Sequence, residues 1–357
     1  MSWAKDVPAL RRGATAVDRG SPARLATRPV TSSSLDIVAI GDAIVDVIAT
    51  CDDAFLAERG FAKGSMRLLS TGEARALYAA MGPGREVSGG SAANSMAGAA
   101  ALGLSAAFVG QVADDQLGAI FAHDIRSLGV RFETPAMPGP PPTGRCLILV
   151  TPDAQRTMST FPGASHELTP AALDAELIRS ASVTFLEGYL WGPERPRAAM
   201  LEAARIAHSA GRTVAFTLSE SLCIGDRREG VLGMIEAKTA DLLFGNEDEV
   251  RQLTGCGELA DCIAALSNNV GTLVITRGAH GAIAVDKGER AEIEAAPVER
   301  IVDTTGAGDL FAAGFLAARC RGRPLRACLE TGAIAAAEVI SHFGARPEAN
   351  LRELAQL

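Results

Sequence analysis

The sequence predicts an α/β fold in which helices cover both faces of a mostly parallel sheet, giving three layers, with a small β-sheet lid beside it. From Val183 onward, short apolar runs such as VTFLEG, TVAFTLS and TLVIT alternate with helical patterns such as Arg195 to Ser209. Strands that alternate with helices form parallel sheets, because each helix returns the chain to the starting edge. The first apolar run, LDIVAIG at residues 35–41, is typical of a buried central strand.

The block from Arg131 to Pro162 departs from this alternation. It is proline-rich at residues 135–142, and then two strand-like runs, GRCLILV and RTMSTF, flank a TPDAQ turn. Two strands joined by a short turn form a hairpin and not a strand–helix unit. A further strand is plausible in GSMRLL, residues 64–69. We therefore expect a small sheet built from residues 46–70 and 131–162, apart from the main domain.

The composition excludes several classes of protein. The 357 residues are 48% hydrophobic and carry a formal net charge of −8. No apolar run approaches the length of a membrane span, and the acidic balance argues against nucleic-acid binding. The seven cysteines are odd in number and show neither a CxxC pair nor zinc spacing. We expect buried thiols in a cytoplasmic protein with no membrane or nucleic-acid partner.

The two ends of the chain differ from the body. Residues 1–34 hold six Lys and Arg but two Asp, and they lack apolar periodicity. We expect a disordered N-terminal extension. An organelle transit peptide, which is also Arg-rich and acid-poor, and an over-long start of the reading frame are the alternatives. The folded domain is expected at residues 35–350, followed by a C-terminal tail at 351–357.

The most informative stretch is DTTGAGDLFAAGF, residues 303–315. Gly306, Ala307 and Gly308 are small residues just before an apolar run that predicts a helix. A small-residue loop that opens a helix presents backbone N–H groups and the positive end of the helix dipole, which suits phosphate. A carboxylate beside phosphate is unfavourable unless it accepts a proton, so Asp309 is a candidate base for an attacking hydroxyl. The alternative is a helix start that carries an ordinary acidic residue.

Other candidates lie where predicted strands end, since ligands of parallel sheets bind at the carboxyl ends of strands. Asp42 and Asp46 follow the first strand, and the later strands end at Glu187, Ser219, Asn246 and Thr276. Residues 86–103, EVSGGSAANSMAGAAALG, predict a flexible glycine pair and a tightly packing small-residue helix from Ser91 to Ala101.

DTTGAGD followed by an apolar helix closely resembles the signature motif of the PfkB/ribokinase family of carbohydrate and nucleoside kinases. The SGGSAAN motif and the NEDE motif at residues 246–249 match two further family motifs in the expected order, so the resemblance covers residues 35–350. It implies a ribokinase-like fold with a β-sheet lid, and a kinase that uses ATP and Mg²⁺, with K⁺ as a further ion. In this family the small-residue loop is the anion hole and the residue at the place of Asp309 is the base.

The resemblance also implies the remaining site residues. The acceptor substrate would contact Asp46, Gly89, Gly90, Ser91, Asn94, Arg145, Leu147 and Leu149. ATP would contact Asn246, Thr276, Arg277, Gly278, Gly281 and Thr305. Glu249 would hold Mg²⁺ indirectly, and the backbone carbonyls of Asp303 and Thr305 would hold K⁺. Two positions stay open: nucleoside kinases often carry Asn at the place of Asp42, and Arg277 faces either phosphate or water.

Within the family, the DAIVD, SGGSAAN and GRCLILV blocks are most like adenosine kinases. The resemblance therefore implies transfer of phosphate from ATP to the 5′-hydroxyl of a nucleoside, giving AMP from adenosine. A ribose or fructose kinase, an inosine or guanosine kinase, and a catalytically silent nucleoside sensor are the alternatives. Leu149, Leu190 and Leu222 suit a flat purine but suit core packing equally well. A monomer or a homodimer is expected.

Overall fold

The computed structural model describes residues 35–153, 155–219, 224–225 and 227–357. The extension predicted at residues 1–34 lies outside the described residues, as does Leu222. The fold class predicted from the sequence is confirmed: a large, mostly parallel sheet lies between two layers of helices, and a second, smaller sheet stands beside it.

The large sheet has nine strands. They are β1 Leu35–Ile40, β5 Ala106–Val109, β6 Arg131–Phe132, β9 Ala181–Glu187, β10 Thr213–Thr217, β11 Leu242–Asn246, β12 Thr272–Thr276, β13 Ala282–Asp286 and β14 Glu289–Ile293. Their order is β14-β13-β12-β11-β10-β9-β1-β5-β6. All pairs from β12 to β6 are parallel, and β13 and β14 add an antiparallel edge. The central strands are apolar on both faces because helices cover both sides.

The small sheet has five strands. They are β2 Ile44–Thr50, β3 Met66–Leu68, β4 Arg85–Gly89, β7 Gly144–Val150 and β8 Arg156–Phe161, in the order β3-β8-β7-β2-β4. β7 and β8 form the predicted antiparallel hairpin. β2 joins it in parallel, and β4 closes the other edge antiparallel to β2.

Twelve helices are labelled in the described residues. They are α1 Asp53–Glu58, α2 Thr71–Ala80, α3 Ser91–Ala101, α4 Gln116–Ser127, α5 Ala175–Ser180, α6 Glu194–Ser209, α7 Arg228–Glu236, α8 Glu247–Thr254, α9 Leu259–Ser267, α10 Ala307–Cys320, α11 Leu325–Val339 and α12 Leu351–Leu354. No helix in the described ranges is both long and apolar enough to cross a membrane.

Two apolar cores lie on opposite faces of the large sheet. Successive residues of β1 enter different cores: Ile37 packs with α10 residues such as Phe315, and Val38 packs with α6 residues such as Met200. This follows from the two-residue period of a strand. α10 packs closely on α11, because a Cβ on Gly314 would lie 2.5 Å from the Thr331 carbonyl oxygen. These contacts fix the start of α10 against the sheet.

Three boundaries differ from those expected from the sequence. β4 belongs to the small sheet although residues 85–89 were outside the ranges predicted for it, and β6, at residues 131–132, pairs with β5 of the large sheet. The expected tail at 351–357 begins with α12, whose Leu351 is buried against the core. Short strands set by pairing across long sequence separations leave little local signal, which explains the first two differences.

Candidate active site

A cavity of about 1050 Å³ lies between the carboxyl edge of the large sheet and the small sheet. The large sheet and its following loops contribute polar residues, among them Thr217, Asn246 and Thr276. The small sheet contributes a mostly apolar wall made of Ile44, Met66, Leu68, Ile148 and Met158. The cavity therefore has one polar side and one apolar side.

The phosphate loop, residues 303–309, forms the floor of the cavity. Gly306 adopts a left-handed conformation, with φ of 78°, just before α10 begins. A Cβ on Gly306 would lie 2.6 Å from the Cβ of Ala345, so glycine alone fits here without displacement. Gly306, Ala307, Gly308 and Asp309 all line the cavity. The first-turn N–H groups of a helix lack intrahelical partners, so this helix start can bind an anion.

Asp309 is held by the start of α3. The Ser91 hydroxyl donates a hydrogen bond to Asp309 Oδ1 at 2.6 Å, and Asn94 Nδ2 donates to Asp309 Oδ2 at 2.9 Å. Burial raises the pKa of Asp309, although these two hydrogen bonds and the charge of Arg346 oppose that rise. A carboxylate with a raised pKa and a fixed orientation is suited to accept a proton.

Asp46 faces the cavity from β2 of the small sheet. A Cβ on Gly89 would lie 2.4 Å from Asp46 Oδ1, so the first residue of the glycine pair makes room for this carboxylate. Burial raises the pKa of Asp46 to about 6, with nearby Asp309 adding to the rise, and the charges of Arg346 and Arg156 oppose it. The structure thus brings two acids to one site, Asp46 from the small sheet and Asp309 from the first turn of α10.

Glu187 connects the backbone at Asp42 to the start of α3, next to the glycine pair. Its Oε1 accepts a hydrogen bond from the Asp42 N–H at 2.6 Å, and its Oε2 accepts one from the Ala92 N–H at 2.7 Å. Burial raises the pKa of Glu187 well above its usual value. Gly90 has φ of 92°, and a Cβ there would lie 2.2 Å from the Asp42 carbonyl oxygen. The strand-end position of Glu187 made it a candidate, but its role in holding backbone was not apparent from the sequence.

Asp42 and His166 both line the cavity and interact electrostatically. Burial raises the pKa of Asp42, and burial lowers the pKa of His166, while each charge favours the ionised form of the other. Arg227, which also lines the cavity, adds positive charge beside Asp42. His166 lies in the 3₁₀ turn Gly163–Glu167 that follows β8. His166 and Arg227 could not be predicted from the sequence, since neither belongs to a motif.

The NEDE motif forms the start of α8 and lines the cavity. Asn246 Oδ1 accepts from the Glu249 N–H at 2.8 Å, and Glu249 Oε2 accepts from the Asn246 N–H at 2.9 Å. Asn246 Nδ2 also donates to Glu249 Oε1 at 2.9 Å. This is a reciprocal capping box, which fixes the buried Glu249 carboxylate near the polar side of the cavity. Within the described ranges, no three His, Cys, Asp or Glu side chains gather as a metal-binding cluster.

Comparison with known proteins agrees with this geometry. The model of the pfkB family of carbohydrate kinases matches residues 34–351. The chain belongs to the pfkB family. An adenosine kinase structure from Sinorhizobium meliloti is 45% identical, with a TM-score of 0.84, over 90% of this chain and 98% of that one. A probable sugar kinase structure from Rhizobium etli is 41% identical, with a TM-score of 0.85, over 91% and 98%. Fructokinase-2 of Solanum lycopersicum is 28% identical over 82% of this chain and 84% of its own length.

Four residues predicted for the acceptor side of this pfkB chain do not line the cavity: Gly89, Arg145, Leu147 and Leu149. Leu147 and Leu149 are buried in the core on the opposite face of β7. Arg145 shares that face, with its guanidinium carbon 5.5 Å from the ring centroid of Tyr78. The residues of β7 that line the cavity are Cys146 and Ile148. The predicted residues of β7 are offset by one position from the residues that line the cavity. Because successive residues of a strand point to opposite faces, this offset placed the predicted side chains on the wrong face.

Arg156 of β8 is the arginine that reaches the phosphate loop. Its Nη2 lies 2.7 Å from Asp303 Oδ2, and both side chains are nearly buried, at 10% and 6% exposure. Its Nη1 also donates to Thr305 Oγ1 at 3.4 Å. The Asp303 carboxylate in addition accepts from the Thr305 N–H and from the Gly344 N–H. The resemblance pointed to the other arginine of the hairpin, Arg145, which lies on the opposite side of the small sheet.

Some of the residues predicted to contact ATP line the cavity, and others do not. Thr276, Gly278 and Thr305 line the cavity, whereas Arg277 turns away and lies 2.8 Å from Glu292. Gly281 has φ of 79°, and a Cβ there would lie 2.0 Å from the Ile293 carbonyl oxygen, so it serves the turn itself. Leu190 is fully buried in the second core and does not line the cavity.

Proposed function

We propose that this pfkB protein transfers the γ-phosphoryl group of ATP to the primary 5′-hydroxyl of a nucleoside, with adenosine as the preferred acceptor. The observation that carries the proposal is the position of Asp309: a partly buried, oriented carboxylate at a helix N-terminus, facing a cavity large enough for two ligands. A base beside an anion-binding helix is what hydroxyl-to-phosphate transfer requires.

The acceptor hydroxyls have suitable partners in the cavity. Asp42 Oδ1 and Asn94 Oδ1 are buried and have no hydrogen-bond partner in the described part of the chain. Both residues line the cavity, and Asp46 stands near them. Buried polar atoms normally have partners, so these oxygens favour a ligand that donates hydrogen bonds. The vicinal hydroxyls of a ribose are donors of this kind.

The apolar wall favours a flat base over a bare sugar. Ile44, Met66, Leu68, Ile148 and Met158 come from four strands of the small sheet and face the acceptor side. Leu68, which is 66% exposed, extends this apolar surface, and contiguous exposed apolar patches mark ligand-binding grooves. The similarity to an adenosine kinase at 45% identity supports the same acceptor class.

In the reaction, Asp309 accepts the proton of the attacking hydroxyl, and Ser91 and Asn94 hold the carboxylate toward it. The amides at the start of α10 stabilise negative charge on the transferred group. Arg156 brings a positive charge from the small sheet to the same loop. Mg²⁺, which neutralises phosphate charge when ATP is bound, would be held through water by Glu249, and K⁺ by the carbonyl groups of Asp303 and Thr305.

Two features favour fixed positions for these groups before substrate binds. Gly306 packs directly against Ala345, because a Cβ on Gly306 would lie 2.6 Å from the Cβ of Ala345. Glu249 is locked by its capping box. We expect K⁺ to raise the turnover rate and a chelator of divalent ions to abolish it. The six cysteines among the described residues are free thiols, which suits a reducing, cytoplasmic location.

A sugar kinase is the second candidate, and the similarity to a probable sugar kinase and to fructokinase-2 supports it. A panel of adenosine, inosine, guanosine, ribose and fructose, each with ATP and Mg²⁺ in an ADP-release assay, tests both. We expect the highest kcat/KM with adenosine. Ribose or fructose as the best acceptor would overturn the nucleoside assignment. Nucleoside binding by titration without any ADP release would favour a silent sensor.

A further inference from the structure

Three consecutive residues near the C-terminus connect the two halves of the site. We name residues 344–346 the clasp. The Gly344 N–H donates to Asp303 Oδ2 at 2.8 Å, and the Cβ of Ala345 occupies the space beside Gly306. The third residue, Arg346, faces the opposite way, toward β4 and α3. One short segment thus contacts both the phosphate loop and the acceptor segment.

Arg346 binds backbone on both sides of the glycine pair. Its Nη2 donates to the Ser88 carbonyl oxygen at 2.6 Å and to the Ser88 hydroxyl at 2.9 Å. Its Nη1 donates to the Ala93 carbonyl oxygen at 2.8 Å. The other side of Ser88 is fixed as well, because Asp124 Oδ2 accepts from its N–H and its hydroxyl. The guanidinium therefore clamps the segment between residues 88 and 93 from both ends.

That segment orients both acids of the site. Gly89, next to Ser88, packs directly against the Asp46 carboxylate. Ala93 lies between Ser91 and Asn94, which are the two residues that hold Asp309. A shift of this backbone would move both carboxylates at once. Arg346 contacts neither of them through a hydrogen bond in the described ranges, so its effect on them is exerted through position and charge.

The charge of Arg346 acts in the same direction on both acids. It lowers the pKa of Asp46 and that of Asp309, against the effect of burial. The other charged or titratable groups that face Asp46 are Arg156, which also lowers its pKa, Asp309, which raises it, and the Cys146 thiol. Glu187 faces Asp309.

We propose that Arg346 is a positioning residue of the phosphotransfer reaction, which couples the phosphate loop to the acceptor segment and holds Asp46 and Asp309 in their reactive positions. The proposal rests on the proposed function, since it assumes that these two acids act on the acceptor. Under this proposal, the reaction requires the connection made by Arg346 in addition to the phosphate loop and the glycine pair. Binding of the two substrates is cooperative through the clasp.

The test compares three substitutions in the full chain. Arg346→Met removes both the charge and the hydrogen bonds, Arg346→Gln keeps some hydrogen bonding without charge, and Arg346→Lys keeps the charge but not the planar fork. Arg321→Met is the matched control, because Arg321 also bridges carbonyl oxygens of neighbouring helices, at Ala317 and Leu102, at the far end of α3. All variants are measured with the best acceptor of the panel.

Loss of kcat/KM by about 10–100-fold is expected for Arg346→Met, the usual size of the effect when positioning of reactive groups is lost. The acidic limb of its profile of kcat/KM against pH should shift to higher pH by about 0.5–1 unit, because removing a nearby positive charge raises carboxyl pKa values. The same limb should move for Arg346→Gln and stay in place for Arg346→Lys. Arg321→Met should lower the melting temperature and leave the limb unchanged.

Coupling is measured separately by titrating the acceptor with and without a non-hydrolysable ATP analogue. The analogue should tighten acceptor binding to the wild type and lose that effect in Arg346→Met and Arg346→Gln. An unchanged limb and unchanged coupling in both variants, with stability alone reduced, would overturn the proposal. If the wild type turns over no acceptor, the proposed function fails instead, and the titrations still report whether the clasp couples the two sites.

Discussion

The phosphate loop at residues 303–309 and the β7–β8 hairpin at residues 144–161 both line the cavity, but they encode function differently. In the loop, the predicted residues Gly306 to Asp309 all reach the cavity. In the hairpin, Leu147 lies in the core and Ile148 faces the site. The loop acts through its own backbone, so a contiguous motif specifies it. The hairpin acts through one of two faces, and the choice depends on what packs behind it.

The largest expected effect concerns the loop. Asp309→Asn keeps the size of the side chain and removes the proton acceptor, so kcat should fall by roughly 10²–10⁴-fold, the usual range for loss of a general base. ATP binding should persist, because the backbone amides remain and one negative charge near the phosphates is gone. Steady-state kinetics and a nucleotide titration measure the two effects. A variant that keeps most of its kcat would make Asp309 an ordinary helix-start residue.

The hairpin comparison is tested by two neighbouring substitutions. Leu147→Ala should reduce the free energy of unfolding by about 2–5 kcal/mol, as for a fully buried leucine, and leave the KM of the acceptor nearly unchanged. Ile148→Ala should raise the KM of the acceptor several-fold, because it removes part of the apolar wall. Denaturant unfolding and acceptor kinetics are measured on both. The reverse pattern would mean that the hairpin presents its other face to the substrate.

Substitution of Asp46 is expected to weaken acceptor binding and to raise stability at neutral pH. Asp46→Asn should weaken acceptor binding by about 1–3 kcal/mol, since a buried partner is left unpaired. Its pKa of about 6 lies above the usual 3.8, so the folded state holds the proton more tightly than the unfolded chain. The ionised group therefore costs stability progressively as pH rises from about 4 to about 6, and Asp46→Asn should remove that loss.

Two measurements check the Asp46 prediction. Isothermal titration gives the acceptor affinity, and melting at pH 4 and pH 7 gives the stability. We expect Asp46→Asn to melt above the wild type at pH 7, with a smaller difference at pH 4. The acidic limb of wild-type kcat/KM should fall near pH 6 if the acid must be ionised. Equal acceptor affinity in wild type and variant would remove Asp46 from the acceptor site.

The smallest effect is expected at Arg277. Its pairing with Glu292 turns it from the cavity, so Arg277→Ala should change the KM for ATP by less than about threefold, because an ion pair near the surface contributes little. Arg156→Met serves as the comparison, because that arginine reaches the phosphate loop and its loss should raise the KM for ATP by more. A large ATP defect in Arg277→Ala would show that this side chain swings to the phosphates during the reaction.

The sequence predicted the fold class and a helix after each motif, although α10 begins at Ala307, inside the loop that was expected to precede it. α3 spans the residues expected for it, Ser91 to Ala101, because its small residues and its glycine pair are local signals. The strands from β9 to β12 were predicted from their apolar runs. β4 escaped detection since its place depends on pairing with β2, more than thirty residues earlier. His166, Arg227 and Arg346 lie outside any motif, and only folding brings the first two to the cavity and Arg346 to the backbone beside the glycine pair.

The joint between the two sheets has a mechanical consequence. β1 of the large sheet ends at Ile40 and β2 of the small sheet begins at Ile44, while β4 is separated from α3 by Gly90 alone. Ile44 and Gly89 are paired, so both crossings lie side by side and form one hinge line. A rotation of the small sheet about that line would swing Asp46 with it, relative to Asp309 on the large domain. One rotation would then both cover the substrate and align the two acids. The enzyme would reach its reactive geometry only when the substrate is shielded from water.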